Sequence, residues 1–407
     1  MPAPSRTRRP LALLSTLALA LGLAATTGVS PAHADGPGSG SPWIVSVGDS
    51  YISGEAGRWA GNTNTGQDYI DALGPTAYYD NAGHTAETIT RCHRSASAEV
   101  YTGTVNGYNL ACSGAQTATF TDSNGYFKPG LDFYNGSGGQ GQALMLQSFA
   151  TTHNVKAVVV SIGGNNFGFA GIVQQCVTDF LGSPSWWKDY CNDDSSVTSN
   201  FTSANVSAQT TNIKNGLLNL RTAMRNAGYA DGTWSIIVQT YESPLPNGSA
   251  IRYSESGYTR QSTGGCGFWN NDANWANSTA LPTINNAVRN AAAAAGIAGT
   301  QVLDLSSAFN GRRLCENTVG LLEEVGLTYW WQSGAVDRTE WVNQIRTVST
   351  ASSDYYIQES FHPNYWGQMA LSNCLRQAWN GGSVRGGTCT RGAGGLNGYG
   401  EPNMVLS

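Results

Sequence analysis

Short apolar runs alternate along the chain with longer stretches of helical period. Residues 43–47 (Trp-Ile-Val-Ser-Val) read as a buried strand that leads straight into Gly48-Asp49-Ser50. Residues 157–162 and 235–239 are two more apolar runs of strand length, and 300–305 is a weaker fourth. A helix-like stretch precedes each of these later runs, at 140–152, 205–226 and 281–295. Strands alternating with helices predict parallel β-α-β units, hence an open α/β sheet. A last helix is expected from near Trp366 to just before Gly381-Gly382. The Gly-rich polar tail from about residue 381 is expected to be an irregular arm tied down by Cys389.

The intervals between strands are far longer than ordinary connections. Residues 51–107, 167–200, 243–280 and 309–357 stand out. Long excursions from the carboxyl ends of strands in an α/β sheet usually build the binding site. No internal repeat and no separating linker is visible, so one domain with large loops is expected over 35–407.

The first residues change the picture of where the chain works. Arg6, Arg8 and Arg9 precede an apolar run at 11–25, and Ala32-His33-Ala34 has the small-x-small pattern of a cleavage site. Residues 1–34 therefore read as a signal peptide cleaved after Ala34, with a secreted, extracellular product; the apolar run is short for a membrane anchor. Eight cysteines, all beyond that segment and none in a CxxC pair, favour disulfides over a metal site. Four bridges allow about 105 connectivities. The simplest is pairing of neighbours: Cys92 with Cys112, Cys176 with Cys191, Cys266 with Cys315, Cys374 with Cys389. Charged residues are only 12% of the chain and the net charge is −5, which gives no support to a nucleic-acid partner.

Four segments carry candidate chemistry. Ser50 sits at a strand end, where its hydroxyl would reach the carboxyl edge of the sheet; Ser and Asp are also ordinary turn and cap residues. His362, in Glu359-Ser-Phe-His-Pro-Asn364, precedes the last helix, with Pro363 favouring a sharp helix start. A lone loop histidine is more often a surface residue. Acyl transfer also needs N–H donors aimed at a carbonyl oxygen as it becomes negative. Asn165, in Ser161-Ile-Gly-Gly-Asn-Asn166, offers a side-chain amide, and Gly114, in Asn109-Leu-Ala-Cys-Ser-Gly114, an unobstructed backbone N–H. Both segments would also serve as plain strand-ending turns.

Taken together, Val-Gly-Asp-Ser, the Gly114 segment, Gly-Gly-Asn-Asn and His-Pro-Asn occur in the order used by SGNH (GDSL) hydrolases. The chain resembles the secreted, disulfide-containing lipase and esterase branch known from actinomycetes, over 43 to about 379. The resemblance implies a three-layer α/β/α flavodoxin-like fold with a parallel central sheet and long disulfide-stapled loops. It implies Ser50 as nucleophile, His362 as base, and an oxyanion hole from the Ser50 N–H, the Gly114 N–H and the Asn165 amide. Two positions depart from the pattern. Asn166 stands where Asp is usual, at what resembles a structural position. The triad acid normally lies three residues before the histidine, and that position holds Glu359. Glu359 is thus a candidate acid, but similar secreted enzymes use a main-chain carbonyl near this position, and a Ser-His dyad with a carbonyl orienter is the expectation. Asp304, another strand-end carboxylate, reads as a structural cap.

The implied activity is hydrolysis of carboxylic esters, with lipid acyl esters (acylglycerol or phospholipid) first and acetyl esters of plant polysaccharide second. A monomer is expected, with no metal or organic cofactor and a transient contact with a lipid interface. A secreted, aromatic-rich binding protein on the same scaffold is the contrasting reading, which has no need of all four segments. The 12 Trp and 18 Tyr bear on both, since aromatics line acyl pockets, stack on sugars or anchor at lipid surfaces. At least half of Trp59, Trp186, Trp187, Trp269, Trp275, Trp330 and Trp331 are expected to form local cores of the loops instead.

Overall fold

The computed structural model describes residues 36–347 and 357–407. The expected signal peptide and its cleavage site lie outside the described residues. Those described all fall within one compact unit, Ala34–Ser407, and no helix among them is long and apolar enough to cross a membrane.

The apolar runs form a seven-stranded sheet: β1 (Pro42–Gly48), β2 (Asn106–Asn109), β3 (Asn154–Ser161), β4 (Ser235–Gln239), β5 (Thr300–Asp304), β6 (Gly387–Leu396) and β7 (Pro402–Leu406). Spatial order is β2-β1-β3-β4-β5-β6-β7, parallel throughout except for the antiparallel β6–β7 pair. The inner strands are Val- and Ile-rich because both of their faces are covered. The main helices are α1 (Ser50–Ser53), α2 (Gln142–Ala150), α3 (Phe169–Gly182), α4 (Ser203–Asn226), α5 (Leu281–Ala295) and α6 (Tyr365–Trp379). Val45, Val158, Val160, Ile236 and Val238 pack with Leu146 of α2, Leu217 and Leu220 of α4 and Val288 of α5. Their alternate neighbours Ile44, Ala157, Val159, Ile237 and Leu303 pack with Trp366, Leu371 and Leu375 of α6. Period-two alternation along the strands thus produces the three α/β/α layers.

Two expectations need correction, and one strand was not foreseen. Residues 167–200 are not all loop. Phe169, Ile172, Val173, Cys176, Val177 and Phe180 recur at helical spacing and form α3, with Cys176, Val177 and Phe180 buried. The arm from about 381 is not irregular: β6 extends the sheet by pairing with β5, and Cys389, Met404 and Leu406 are buried while Val405 is exposed. Its many glycines masked that alternation. The edge strand β2, Asn-Gly-Tyr-Asn, carries no apolar run and exists because β1 offers it a partner.

The four disulfides join the neighbouring cysteines: Cys92–Cys112, Cys176–Cys191, Cys266–Cys315 and Cys374–Cys389. The last ties α6 to β6. Among the loop tryptophans, Trp59 and Trp269 are fully buried and Trp275 and Trp330 pack against the core, whereas Trp186, Trp187 and Trp331 are exposed.

Candidate active site

The strand order β2-β1-β3-β4-β5 places a topological switch point between β1 and β3, where crevices open at the carboxyl ends of strands. The loops leaving β1, β2 and β3 deliver Ser50, Gly114 and Asn165 to this crevice, and His362 arrives from the turn before α6. All four line one cavity of about 640 Å³.

Local chemistry explains why Ser50 stands where it does. Gly48 has φ 133°, and a Cβ there would fall 1.9 Å from the Ser161 carbonyl oxygen, so only glycine lets β1 approach β3 this closely. Asp49 caps α1, accepting from the Tyr51 N–H at 3.2 Å. Its other oxygen accepts from the Tyr241 hydroxyl at 2.5 Å, and that hydroxyl accepts from the Gly164 N–H at 2.9 Å. Tyr241 therefore locks the Ser50 turn to the Asn165 turn. Burial pushes the Asp49 carboxyl up to about 7, against the pull of these bonds.

His362 is gripped from all sides. Its Nε2 lies 2.7 Å from Ser50 Oγ, and its Nδ1 lies 2.9 Å from the Ser360 carbonyl oxygen. The ring sits between Tyr51, at 5.2 Å, and Phe169, at 6.3 Å. Phe361, just before it, adopts φ 64°, a conformation rare for a bulky side chain. Bonds from its N–H to the Asn343 carbonyl and from the Tyr51 hydroxyl to its own carbonyl hold that turn. Asn364 then caps α6 through Gly367. Burial pushes the His362 pKa below its ordinary value, with Glu55 and the Ser360 carbonyl acting upward and His93 downward.

Glu359 is not the partner of His362. Its carboxylate is buried and accepts from the Trp59 indole at 3.0 Å and from the Tyr78 hydroxyl. Burial raises its pKa. The longer side chain points into the loop core, leaving the imidazole to the Ser360 carbonyl.

On the other side of Ser50, Gly114 has φ 77°, and Asn165 donates to the Ala115 carbonyl at 3.0 Å. That bond fixes the Asn165 amide beside the Gly114 turn and occupies one of its two N–H groups. Asn166 clamps the same turn, accepting from the Thr117 N–H and donating to the Thr117 hydroxyl and to Gln209. Asp304 accepts from Thr240 and Ser306 and pairs with Arg289, away from the cavity. Four segments far apart in sequence converge on one serine.

The architecture is the three-layer α/β/α one that the resemblance to SGNH hydrolases implies.

No family model and no curated protein matches the chain. Among solved structures it is similar to an extracellular lipase from Streptomyces rimosus, with 17% identity over 83% of this chain and 100% of that one, TM-score 0.43. A phospholipase A1 from Streptomyces albidoflavus NA297 gives 17% identity over 83% and 99%, TM-score 0.42. A family two carbohydrate esterase from Clostridium thermocellum gives 10% identity over 84% and 64%, TM-score 0.37.

Several residues of the site were not singled out by sequence. Tyr241, Ser113, Gln358 and Glu55 all act through long-range contacts that leave no spacing signature, whereas the Ser360 carbonyl is the main-chain orienter expected near this position. Phe169, Val173, Val177 and Leu181, which line the cavity from α3, were readable as a helical stripe.

Proposed function

We propose that the chain is a secreted serine esterase that cleaves carboxylic esters through an acyl-enzyme on Ser50. The observation that carries this reading is the 2.7 Å contact between Ser50 Oγ and His362 Nε2 in a cavity that Gly114 and Asn165 also line. With Nδ1–H bonded to the Ser360 carbonyl, Nε2 is left as the basic nitrogen facing the hydroxyl. Ser50 attacks the ester carbonyl as His362 takes its proton. The Ser50 and Gly114 N–H groups and the free N–H of Asn165 receive the oxyanion. His362 then protonates the leaving alcohol, and water, activated by the same imidazole, releases the acid.

The cavity walls support one substrate class. Phe169, Val173, Val177, Leu181, Ile345 and Phe361 give it a largely apolar lining, suited to an acyl chain rather than to acetyl alone. Lipid acyl esters are the reading this supports. The paired cysteines and the leader-like first residues support work outside the cell. The test is a panel of p-nitrophenyl esters from acetate to palmitate, with phosphatidylcholine, triacylglycerol and acetylated xylan. Medium or long acyl esters should give the highest kcat/KM. Preference for acetate or acetylated xylan would move the substrate to carbohydrate, and inactivity on every ester would defeat the reading.

A further inference from the structure

When His362 takes a proton it becomes a buried cation, and the Ser360 carbonyl orients it without supplying a counter-charge. Glu55, on the segment that carries Ser50, offers one. Its backbone N–H donates to the Ser50 carbonyl at 3.3 Å, and its side chain is fully buried. One carboxylate oxygen lies 2.6 Å from His93 Nδ1, and the other accepts from the Gln358 amide at 3.2 Å. Gln358 also donates to Ser113 Oγ at 2.8 Å and to the Arg91 carbonyl at 3.1 Å. Ser113 adjoins Gly114, and Gln358 lies close before Ser360. The segments that carry nucleophile, oxyanion donor and base-orienting carbonyl are therefore tied together through Glu55 and the Gln358 amide that bonds it.

We propose that Glu55 is a positioning residue for the Ser50–His362 pair, fixing the Ser50, Gly114 and Ser360 segments relative to one another and presenting negative charge to His362 as it becomes a cation. Its consequence for turnover rests on the hydrolase reading above; the coupling to His362 does not.

The carboxylate is kept ionised by its partner. Burial pushes its pKa up, but His93 at 2.6 Å, then His362 and Ser113, bring it below the ordinary value. Burial likewise opposes charge on His93, and Glu55 overcomes it, raising that pKa. His93 stacks on Tyr78 with ring centroids 4.4 Å apart. On His362, Glu55 acts more strongly than His93 does. Other charges nearby are Glu87, at 3.5 Å from His93, with Glu359 and Lys128. Arg346 lines the cavity beside His362, and Asp49 and Glu242, held up at about 7 and about 8 by burial, face Tyr51 behind it. An isolated structural ion pair would need only its own geometry. This one has a further carboxylate bond, to Gln358, which itself holds the Ser113 segment.

The experiment follows the His362 ring by NMR titration, assigned by its loss in His362→Ala, alongside kcat and KM on a p-nitrophenyl ester. Glu55→Gln keeps the shape and removes the charge. It should lower the His362 pKa by about half a unit or more and cut kcat at least about tenfold, with KM within about twofold. Glu55→Asp keeps the charge and should hold the pKa near wild type. Gln358→Ala keeps the charge and breaks the tie, so kcat should fall while the pKa stays. A folded Glu55→Gln protein whose His362 titrates as in wild type overturns the electrostatic part. Should that variant not fold, wild-type kcat in Gln358→Ala overturns the positioning part. A wild type without esterase activity would sink the hydrolase reading alone, because the titration is read without substrate.

Discussion

The Nδ1–H of His362 donates to the main-chain carbonyl of Ser360 at 2.9 Å, where a triad acid would ordinarily accept it. Orientation of the imidazole is thereby built into the backbone of the turn before α6, and substitution cannot remove it, because every residue carries a carbonyl. The Glu359 carboxylate instead anchors that turn through Trp59 and Tyr78.

Glu359→Gln should therefore reduce kcat by less than about tenfold, against the roughly ten-thousandfold expected on removing a buried triad carboxylate. Steady-state kinetics on protein shown folded by circular dichroism checks this. A loss of a thousandfold or more, about 4 kcal/mol of barrier, would restore Glu359 as the acid.

The pH profile has a definite sign. His362 must be neutral to act as base, and burial holds its pKa below the ordinary 6.5. Activity should fall as pH drops through that lowered value, so the acid limb of kcat/KM should lie below 6.5. An acid limb above 6.5 would mean that the neutral imidazole is not what the folded enzyme favours.

Much of this was legible in the sequence, and for a physical reason. Strands such as 157–162 and 235–239 are buried on both faces and must be apolar, and Ser50, Gly114, Asn165 and His362 sit where loops leave or enter such elements. What stayed hidden depends on distant partners. Strand β2 is polar and is defined by its neighbour, and the Gly-rich β6–β7 hairpin hides its alternation. Glu55, Tyr241 and Gln358 matter through contacts across the fold, such as Gln358 with Ser113. Sequence spacing carries no trace of these. Helix α3 was legible in its stripe at Phe169, Val173, Val177 and Phe180, although the interval as a whole read as loop.

Buried carboxyls make stability depend on pH in an unusual direction. Burial raises Glu99 from 4.5 to about 8, and its Oε2 has no hydrogen-bond partner among the described residues. The folded state then holds a proton that the unfolded state gives up, so this contribution favours folding below pH 4.5 and is lost as pH rises toward 8. Glu99→Gln should leave Tm nearly unchanged at pH 4.5 and raise it at pH 8.5. Wild type loses more stability than the variant across that interval, the Glu99 share being on the order of 1 kcal/mol for each pH step of one. Equal Tm changes at both pH values would exclude this titration.

The disulfides should separate stability from chemistry. Cys112 accompanies Ser113 and Gly114, and the Ser113 N–H donates to the Cys92 carbonyl at 3.0 Å. Replacing Cys92 and Cys112 by Ser should lower both Tm and kcat. Replacing Cys374 and Cys389, which tie α6 to β6, should lower Tm alone. Each loss is expected to cost about 2–5 kcal/mol. Calorimetry with kinetics at a temperature where both variants are folded decides. Equal turnover in the two would show that the Cys92–Cys112 bridge does not shape the Gly114 turn.

The central claim is that Ser50 is a nucleophile activated by His362. The most direct measurement is the intact mass of the protein after reaction with a fluorophosphonate, with peptide mapping of the adduct in wild type, Ser50→Ala and His362→Ala. The account predicts a single adduct on Ser50, none in Ser50→Ala, and labelling slowed by orders of magnitude in His362→Ala. An adduct on another residue, or ester hydrolysis persisting in folded Ser50→Ala protein, would contradict it.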